Sequence, residues 1–184
     1  MTQKFSRFLL VKVMGWTLVG EKAPEDKVIF LAAPHTSIWD FVIGYLYYRS
    51  VGGHLKTMIK KEAFFFPANL LLKAMGGFPI DRSHPQKMLM SVMHEMEKPG
   101  DFHLVICPEG TRKPVKKWKT GYHTIAEATG APVYLTFFDY KAKRVGILQK
   151  FELCGTARED TDRIQAFYEE QHLTGLHPEM FVTH

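Results

Sequence analysis

The sequence predicts an α/β fold: one domain over residues 1–184, with a mixed, mostly parallel sheet flanked by helices and an amphipathic helix at the N-terminal end. Three observations predict it. Short apolar runs such as KVIFLAA (27–33) and FHLVIC (102–107) read as buried strands, each closed by a proline. Segments of helical periodicity lie between such runs. The chain has 184 residues, 46% hydrophobic and 23% charged, which suits one globular domain with enough core to fold without disulfides or metals.

The elements follow in order. Residues 5–19 are rich in Phe, Leu, Val and Trp16 but are interrupted by Arg7 and Lys12. That stretch is too short and too charged for a membrane span, and it lacks the small-residue cleavage site of a signal peptide. Two placements fit: a helix within residues 1–20 lying in a membrane interface with its basic side chains turned outward, or a helix packed on the domain's own core. Residues 27–33 form a strand and 37–51 a helix with Ser37 as N-cap. Residues 55–59 form another strand. The apolar stretch 63–80 is broken by Pro67, Lys73 and the Gly76-Gly77 pair, so it reads as short helices and a turn. Residues 85–98 read as a helix with Pro85 in its first turn and Pro99-Gly100 as its stop. After the strand at 102–107 come a helix at 120–129 capped by Gly130, strands at 133–138 and 144–148, and a helix at 159–172. That last helix puts Ile164, Phe167 and Tyr168 on one side. In such folds the loops at strand ends carry the chemistry.

The net charge of +5 points to an anionic partner: nucleic acid, a phospholipid surface or a phosphorylated substrate. Cys107 and Cys154, the two cysteines, form neither a CxxC pair nor a disulfide framework, which suits a reducing, cytoplasmic setting. In its apolar run Cys107 reads as a small packed hydrophobe.

Four stretches carry candidate chemistry. In PHTSIWDF (34–41), His35 falls at the strand-to-helix junction and Asp40 five residues later. A hydroxyl attacking an acyl group needs a base, which imidazole supplies, and a carboxylate on the other ring nitrogen would fix the tautomer. Ser37 and Asp40 also match a capping box, so Asp40 has a structural reading as well. In GGFPIDR (76–82), paired glycines permit a tight turn, after which residues 78–80 run extended. Arg82 would grip a phosphate, or Asp81 and Arg82 form a solvated pair. In PEGTR (108–112), Gly110 permits close approach by a ligand and Arg112 is a second phosphate ligand. Glu109 would orient arginines or bond a substrate hydroxyl. In KPVKKWK (113–119), four lysines surround Trp118, suiting a lipid headgroup region, a nucleic acid or a solvated loop. Lys60 and Lys61 would add to the same positive field.

Taken together, these stretches resemble the glycerolipid acyltransferase family that includes lysophosphatidic acid acyltransferases. The order is that of the family: His35 to Asp40, Gly76 to Arg82, Pro108 to Arg112, then Ala131-Pro132-Val133, with the Lys60-Lys61-Glu62 run leading into the second block. The likeness covers a motif-bearing core of residues 28–138. Two departures are Pro34 where many members have Asn, and Cys107 where an aromatic is common.

The resemblance implies that His35 is the general base, supported by Asp40. It implies an acceptor site drawn from Lys60, Arg82, Glu109, Gly110, Thr111 and Arg112. It implies a lysolipid acceptor, acyl-CoA or acyl-carrier protein as co-substrate and donor, no metal and no prosthetic group. The expected setting is cytoplasmic and peripheral on a membrane surface, with no nucleic acid as partner. A different acceptor, such as a lyso-aminolipid, is an alternative, and a non-catalytic basic membrane-binding module is another.

Overall fold

The computed structural model of the chain describes residues 1–81 and 83–181. A helix, α1 (Gln3–Arg7), runs on as a π-helical stretch over Phe8–Val13. Gly15, at a φ of +74°, breaks it. Residues 17–19, which the sequence assigns to the helix, are instead a short strand, β1 (Thr17–Val19), paired parallel with the last strand of the sheet. Of the two placements weighed for the N-terminal helix, packing on the domain's own core is seen at Leu10. Leu10 and Trp16 are buried in the core, while Phe5, Phe8 and Val13 stay exposed.

The chain continues through β2 (Lys27–Ala33), α2 (Trp39–Ser50), β3 (Leu55–Lys60), α3 (Ala68–Ala74), β4 (Gly77–Ile80), α4 (Pro85–Glu97), β5 (Phe102–Ile106), α5 (Gly121–Thr129), β6 (Val133–Asp139), β7 (Arg144–Phe151) and α6 (Ala157–Glu170). The sheet order is β1-β7-β6-β2-β5-β3-β4. From β6 to β4 every neighbouring pair is parallel, and β7 turns back antiparallel on β6. The result is the mixed, mostly parallel sheet the sequence implies. The strand at 77–80 is one the sequence resolves only as an extended run after a turn. It forms at the sheet edge, where the missing N–H of Pro79 is tolerated.

Alternation along β2 divides the core. Ile29, Leu31 and Ala33 face a cluster with Val92, Tyr122, Ile125, Ile164 and Tyr168, contributed by α4, α5 and α6. Val28, Phe30 and Ala32 face the other cluster, with Leu10, Ile43, Leu46 and Tyr48, contributed by the N-terminal helix and α2. A strand buried on both faces has to be apolar throughout, which is why KVIFLAA shows no polar alternation.

Helix ends follow local chemistry. Thr156 and Glu159 form a capping box that starts α6 at Ala157, two residues before the start read from periodicity. Gly130, at a φ of +66°, closes α5. Pro85 opens α4. Because β2, β3, β4, β5 and β6 point the same way, the loops that follow them gather at one edge of the sheet. The loops after β2 and β5 carry three of the four candidate stretches, side by side.

Candidate active site

Ala33 ends β2, and a cis peptide joins it to Pro34. His35 follows. Its Nδ1 lies 3.1 Å from Asp40 Oδ2, in the first turn of α2. The same Oδ2 accepts main-chain N–H bonds from Thr36 (2.8 Å) and Ser37 (2.9 Å). Ser37 Oγ accepts from the N–H of Trp39 at 3.2 Å. The N-cap of α2 is Ile38 rather than Ser37, and it has no side-chain cap bond, so the turn before the helix is held by the same carboxylate that faces His35. Asp40 closes the turn from 36 to 40, and that closure brings it to the imidazole. The carboxylate is only 2% exposed, whereas the His35 side chain is 23% exposed and reachable from solvent.

Its fourth partner comes from far along the chain. Tyr140, just beyond β6, donates its hydroxyl to Asp40 Oδ1 at 2.7 Å. Its ring stands edge-on to Trp16, and its main-chain N–H bonds the carbonyl of Thr174. The segment after α6 also braces the His35 turn directly, through a bond of 3.3 Å from the N–H of His177 to Thr36 Oγ1. Sequence reasoning found neither contact. Among the signals in the chain only the aromatic Tyr140 at a strand end hinted at one.

Glu109 sits at the head of the loop after β5, 2% exposed. Its Oε1 accepts the main-chain N–H of His35 at 2.7 Å. The role read from sequence, orienting arginines or bonding a substrate hydroxyl, gives way to holding the histidine's backbone. Burial pushes the Glu109 carboxyl up to about 7, against the lowering influence of that N–H bond and of the His35 charge.

His35 is moved the other way from what burial alone does. Burial disfavours its charge, but the charge and hydrogen bond of Cys107, together with those of Asp40, outweigh this and push it up to about 10. Cys107 is half-buried and packs against the apolar cluster on the α2 side of the sheet, as its run predicts.

The remaining predicted residues are placed less centrally. Gly110, Thr111 and Arg112 follow Glu109 on the same loop, with Gly110 and Arg112 exposed. Gly110 has a φ of +71°, and an added Cβ would meet Lys119 Cγ at 3.1 Å. Lys60 is exposed at the end of β3, two strands away from β2. Arg82 lies outside the described residues. Asp81, its neighbour, bonds Lys61 at 2.7 Å. The glycines at 76 and 77 are packing devices. A Cβ on Gly76 would fall 1.9 Å from the carbonyl of Leu55, and one on Gly77 2.8 Å from that of Leu72.

One expectation about an aromatic residue is reversed. Trp118 is 3% exposed and packs on Tyr168 in the core, so it is not an interface residue. Phe65, Phe66, Leu70 and Leu71 stand exposed on and before α3. A groove of about 740 Å³ opens beside β4 and α4, lined by residues including Lys56, Ile80, His84 and Lys87. It does not include His35. Among the described residues, no group of three His, Cys, Asp or Glu is placed to hold a metal ion. Nor is any helix there long and apolar enough to cross a membrane.

The arrangement is a solvent-accessible imidazole oriented by a buried carboxylate, which suits proton transfer from an attacking hydroxyl. Comparisons with known proteins agree with that chemistry. The sequence matches the family model described as Acyltransferase over residues 16–135. It is 30% identical, over 115 residues, to the 1-acyl-sn-glycerol-3-phosphate acyltransferase of Streptococcus pneumoniae (strain ATCC BAA-255 / R6). That match takes in 56% of this chain and 42% of the relative, less than half of its length. The fold is similar to that of the 1-acyl-sn-glycerophosphate (LPA) acyltransferase PlsC from Thermotoga maritima, with a TM-score of 0.63 and 16% identity over 92% of this chain and 78% of that one.

Proposed function

Because this chain belongs to the acyltransferase family, we propose that it moves a fatty acyl group from an acyl thioester, acyl-CoA or acyl-carrier protein, to the hydroxyl of 1-acylglycerol 3-phosphate. One observation carries the reading: the 3.1 Å contact of His35 Nδ1 with Asp40 at the sheet edge where the motif-bearing loops meet. Asp40 holds the ring in the tautomer that leaves the opposite nitrogen to act as base. That nitrogen takes the proton of the acceptor hydroxyl as the oxygen attacks the thioester carbonyl, and returns it to the departing thiolate. Glu109 fixes the main chain of His35 so that the ring's direction is set before substrate arrives. Exposed Arg112 and Lys60 supply positive charge for the acceptor's phosphate. The name of the pneumococcal relative supports this choice of acceptor.

The substrate is a lipid, and the exposed apolar side chains of the chain suit one. Ile38 and Trp39, three and four residues from His35, are exposed, as are Phe65, Phe66, Leu70 and Leu71. Lys60, Lys61 and Lys73 are exposed beside the latter group in sequence. Apolar side chains flanked by cations fit the headgroup boundary of an anionic bilayer.

The test is a purified protein, one acyl-CoA and a panel of lysolipids that includes lysophosphatidic acid and a lyso-aminolipid, with products identified by mass spectrometry. The expected product is phosphatidic acid, and folded His35→Ala releases thiol at least ~100-fold more slowly. Wild-type turnover by that variant refutes the mechanism, and acylation of another lipid in preference refutes the acceptor.

A further inference from the structure

The groove beside β4 and α4 lies apart from His35, and its charge is unbalanced. It holds about 740 Å³, within the range of roughly 300–1,000 Å³ for small-molecule sites. Two carboxylates line it, and each is matched by a cation outside the lining: Asp81 by Lys61 at 2.7 Å, and Glu95 by Lys98. Lys56, Lys73 and Lys87 line it too, all exposed, and among the described residues none of the three has an ion-pair partner. A concave surface with surplus positive charge draws an anion.

The surplus sits at two places. Lys87, in the first turn of α4, follows the end of β4. Lys56 comes second in β3, which runs parallel to β4, and Lys73 lies in the last turn of α3, just before β4 begins. Both therefore belong to the other end of the groove. The rings of Phe78 and Phe102, with centres 6.2 Å apart, add an apolar wall, which suits the flat face of a base. The sheet order puts β4 three strands from β2, about 14 Å at ~4.8 Å per strand. A ligand that reacts at His35 and fills this groove must be long, with its phosphates well away from its reacting carbon.

We propose that the groove holds the 3′-phosphorylated adenosine diphosphate of acyl-CoA while the thioester lies at His35. The diphosphate meets Lys87, at the end nearer the loops that carry the base. The 3′-phosphate meets Lys56 and Lys73, and the pantetheine arm spans the gap to the imidazole. A carrier protein presents the arm without the nucleotide, so this site makes CoA the donor. It rests on the acyltransferase reading and names the donor for it.

The experiment has two arms. Calorimetry follows adenosine 3′,5′-bisphosphate binding to the purified chain, which needs no turnover. Thiol release, with lysophosphatidic acid as acceptor, compares decanoyl-CoA with S-decanoyl-pantetheine, which lacks the nucleotide. The bisphosphate is expected to bind and to compete with decanoyl-CoA. The double variant Lys56→Gln, Lys87→Gln is expected to weaken that binding and to raise KM for decanoyl-CoA at least ~tenfold with kcat held. The KM rise is expected to vanish with S-decanoyl-pantetheine. Equal KM for the two thioesters in the wild-type chain, or bisphosphate binding that the double variant leaves unaltered, overturns the site and leaves acyl transfer standing. Glycerol 3-phosphate binding that depends on these lysines, without bisphosphate binding, gives the groove to the acceptor and also overturns it. Lysine-dependent bisphosphate binding with no transfer from either thioester to any lysolipid supports the nucleotide site and overturns the acyltransferase reading.

Discussion

Replacing Tyr140 by Phe removes one hydroxyl and nothing else from the surroundings of Asp40. The phenyl ring keeps its edge-on packing against Trp16, with ring centres 5.0 Å apart. Asp40 Oδ1 loses its 2.7 Å donor, while Oδ2 keeps His35, Thr36 and Ser37. A hydrogen bond to an ionised buried group contributes about 1.5–3 kcal/mol. At about 2–4 °C per kcal/mol for a domain of this size, the melting temperature is expected to fall by roughly 3–12 °C.

The catalytic effect has a definite sign. The Tyr140 hydroxyl draws negative charge toward itself, so its loss leaves more on Oδ2, the atom that faces His35. The imidazolium is then held more tightly and the His35 pKa rises. If part of the lost energy, about 0.7–1.4 kcal/mol, appears in that pKa, the rise is about half to one unit. Where the neutral ring is the active form, the rate below that pKa falls roughly 3–10-fold and recovers at higher pH. The assay is thiol release from acyl-CoA with saturating lysolipid across pH, beside thermal unfolding of both proteins. An acidic limb that stays in place or moves to lower pH refutes the argument, whatever happens to stability.

Other predictions follow from the same contacts. For the wild-type protein the acidic limb of kcat/KM lies well above that of free histidine, since His35 is pushed up to about 10, and activity climbs as pH rises through that value. A limb near pH 6.5 in the same thiol-release assay contradicts this. Glu109→Ala strips the His35 N–H of its acceptor and is expected to cost about 1–3 kcal/mol with loss of activity. Glu109→Gln keeps an acceptor oxygen and should retain the fold by urea titration, so equal destabilisation by both would discredit this role. Gly76→Ala is expected to be strongly destabilising, because its Cβ would fall 1.9 Å from a main-chain oxygen at a φ of +85°; unchanged thermal unfolding would contradict the packing. Thr156→Ala removes the α6 cap, costing about 1 kcal/mol while leaving turnover intact.

Much of the site was legible because it is local. His35 and Asp40 sit five residues apart, and a turn running into a helix closes on itself through hydrogen bonds within that span. The Pro-Glu-Gly block is recognisable by motif, and its Glu reads as orienting arginines or bonding a substrate hydroxyl, because nothing in residues 108–112 says that the neighbouring strand delivers His35 N–H to it. Trp118 was misread for a related reason. Four lysines around an aromatic describe a surface from composition, but the loop folds back through Lys119 N–H to Pro108 and carries the indole into the core. The exposed Phe65 and Phe66 are the converse case: an apolar run whose short helix is too small to turn every side chain inward.

By itself the sequence determined the two-sided burial of β2, the breaks at Pro and Gly, the helix ends at Pro85 and Gly130 and the spacing of His35 to Asp40. These depend on neighbours within a few residues, so they survive any choice of topology. The strand order was decided only in the tertiary structure. Setting β5 beside β2 brings Glu109 to His35, and setting β6 on the other side brings Tyr140 to Asp40, 100 residues away in sequence. Such contacts come from which strands pair and in what register, and no short stretch of sequence encodes that. The upward pull on the His35 pKa is in part local, from Asp40 five residues on, and in part tertiary, from Cys107 after β5.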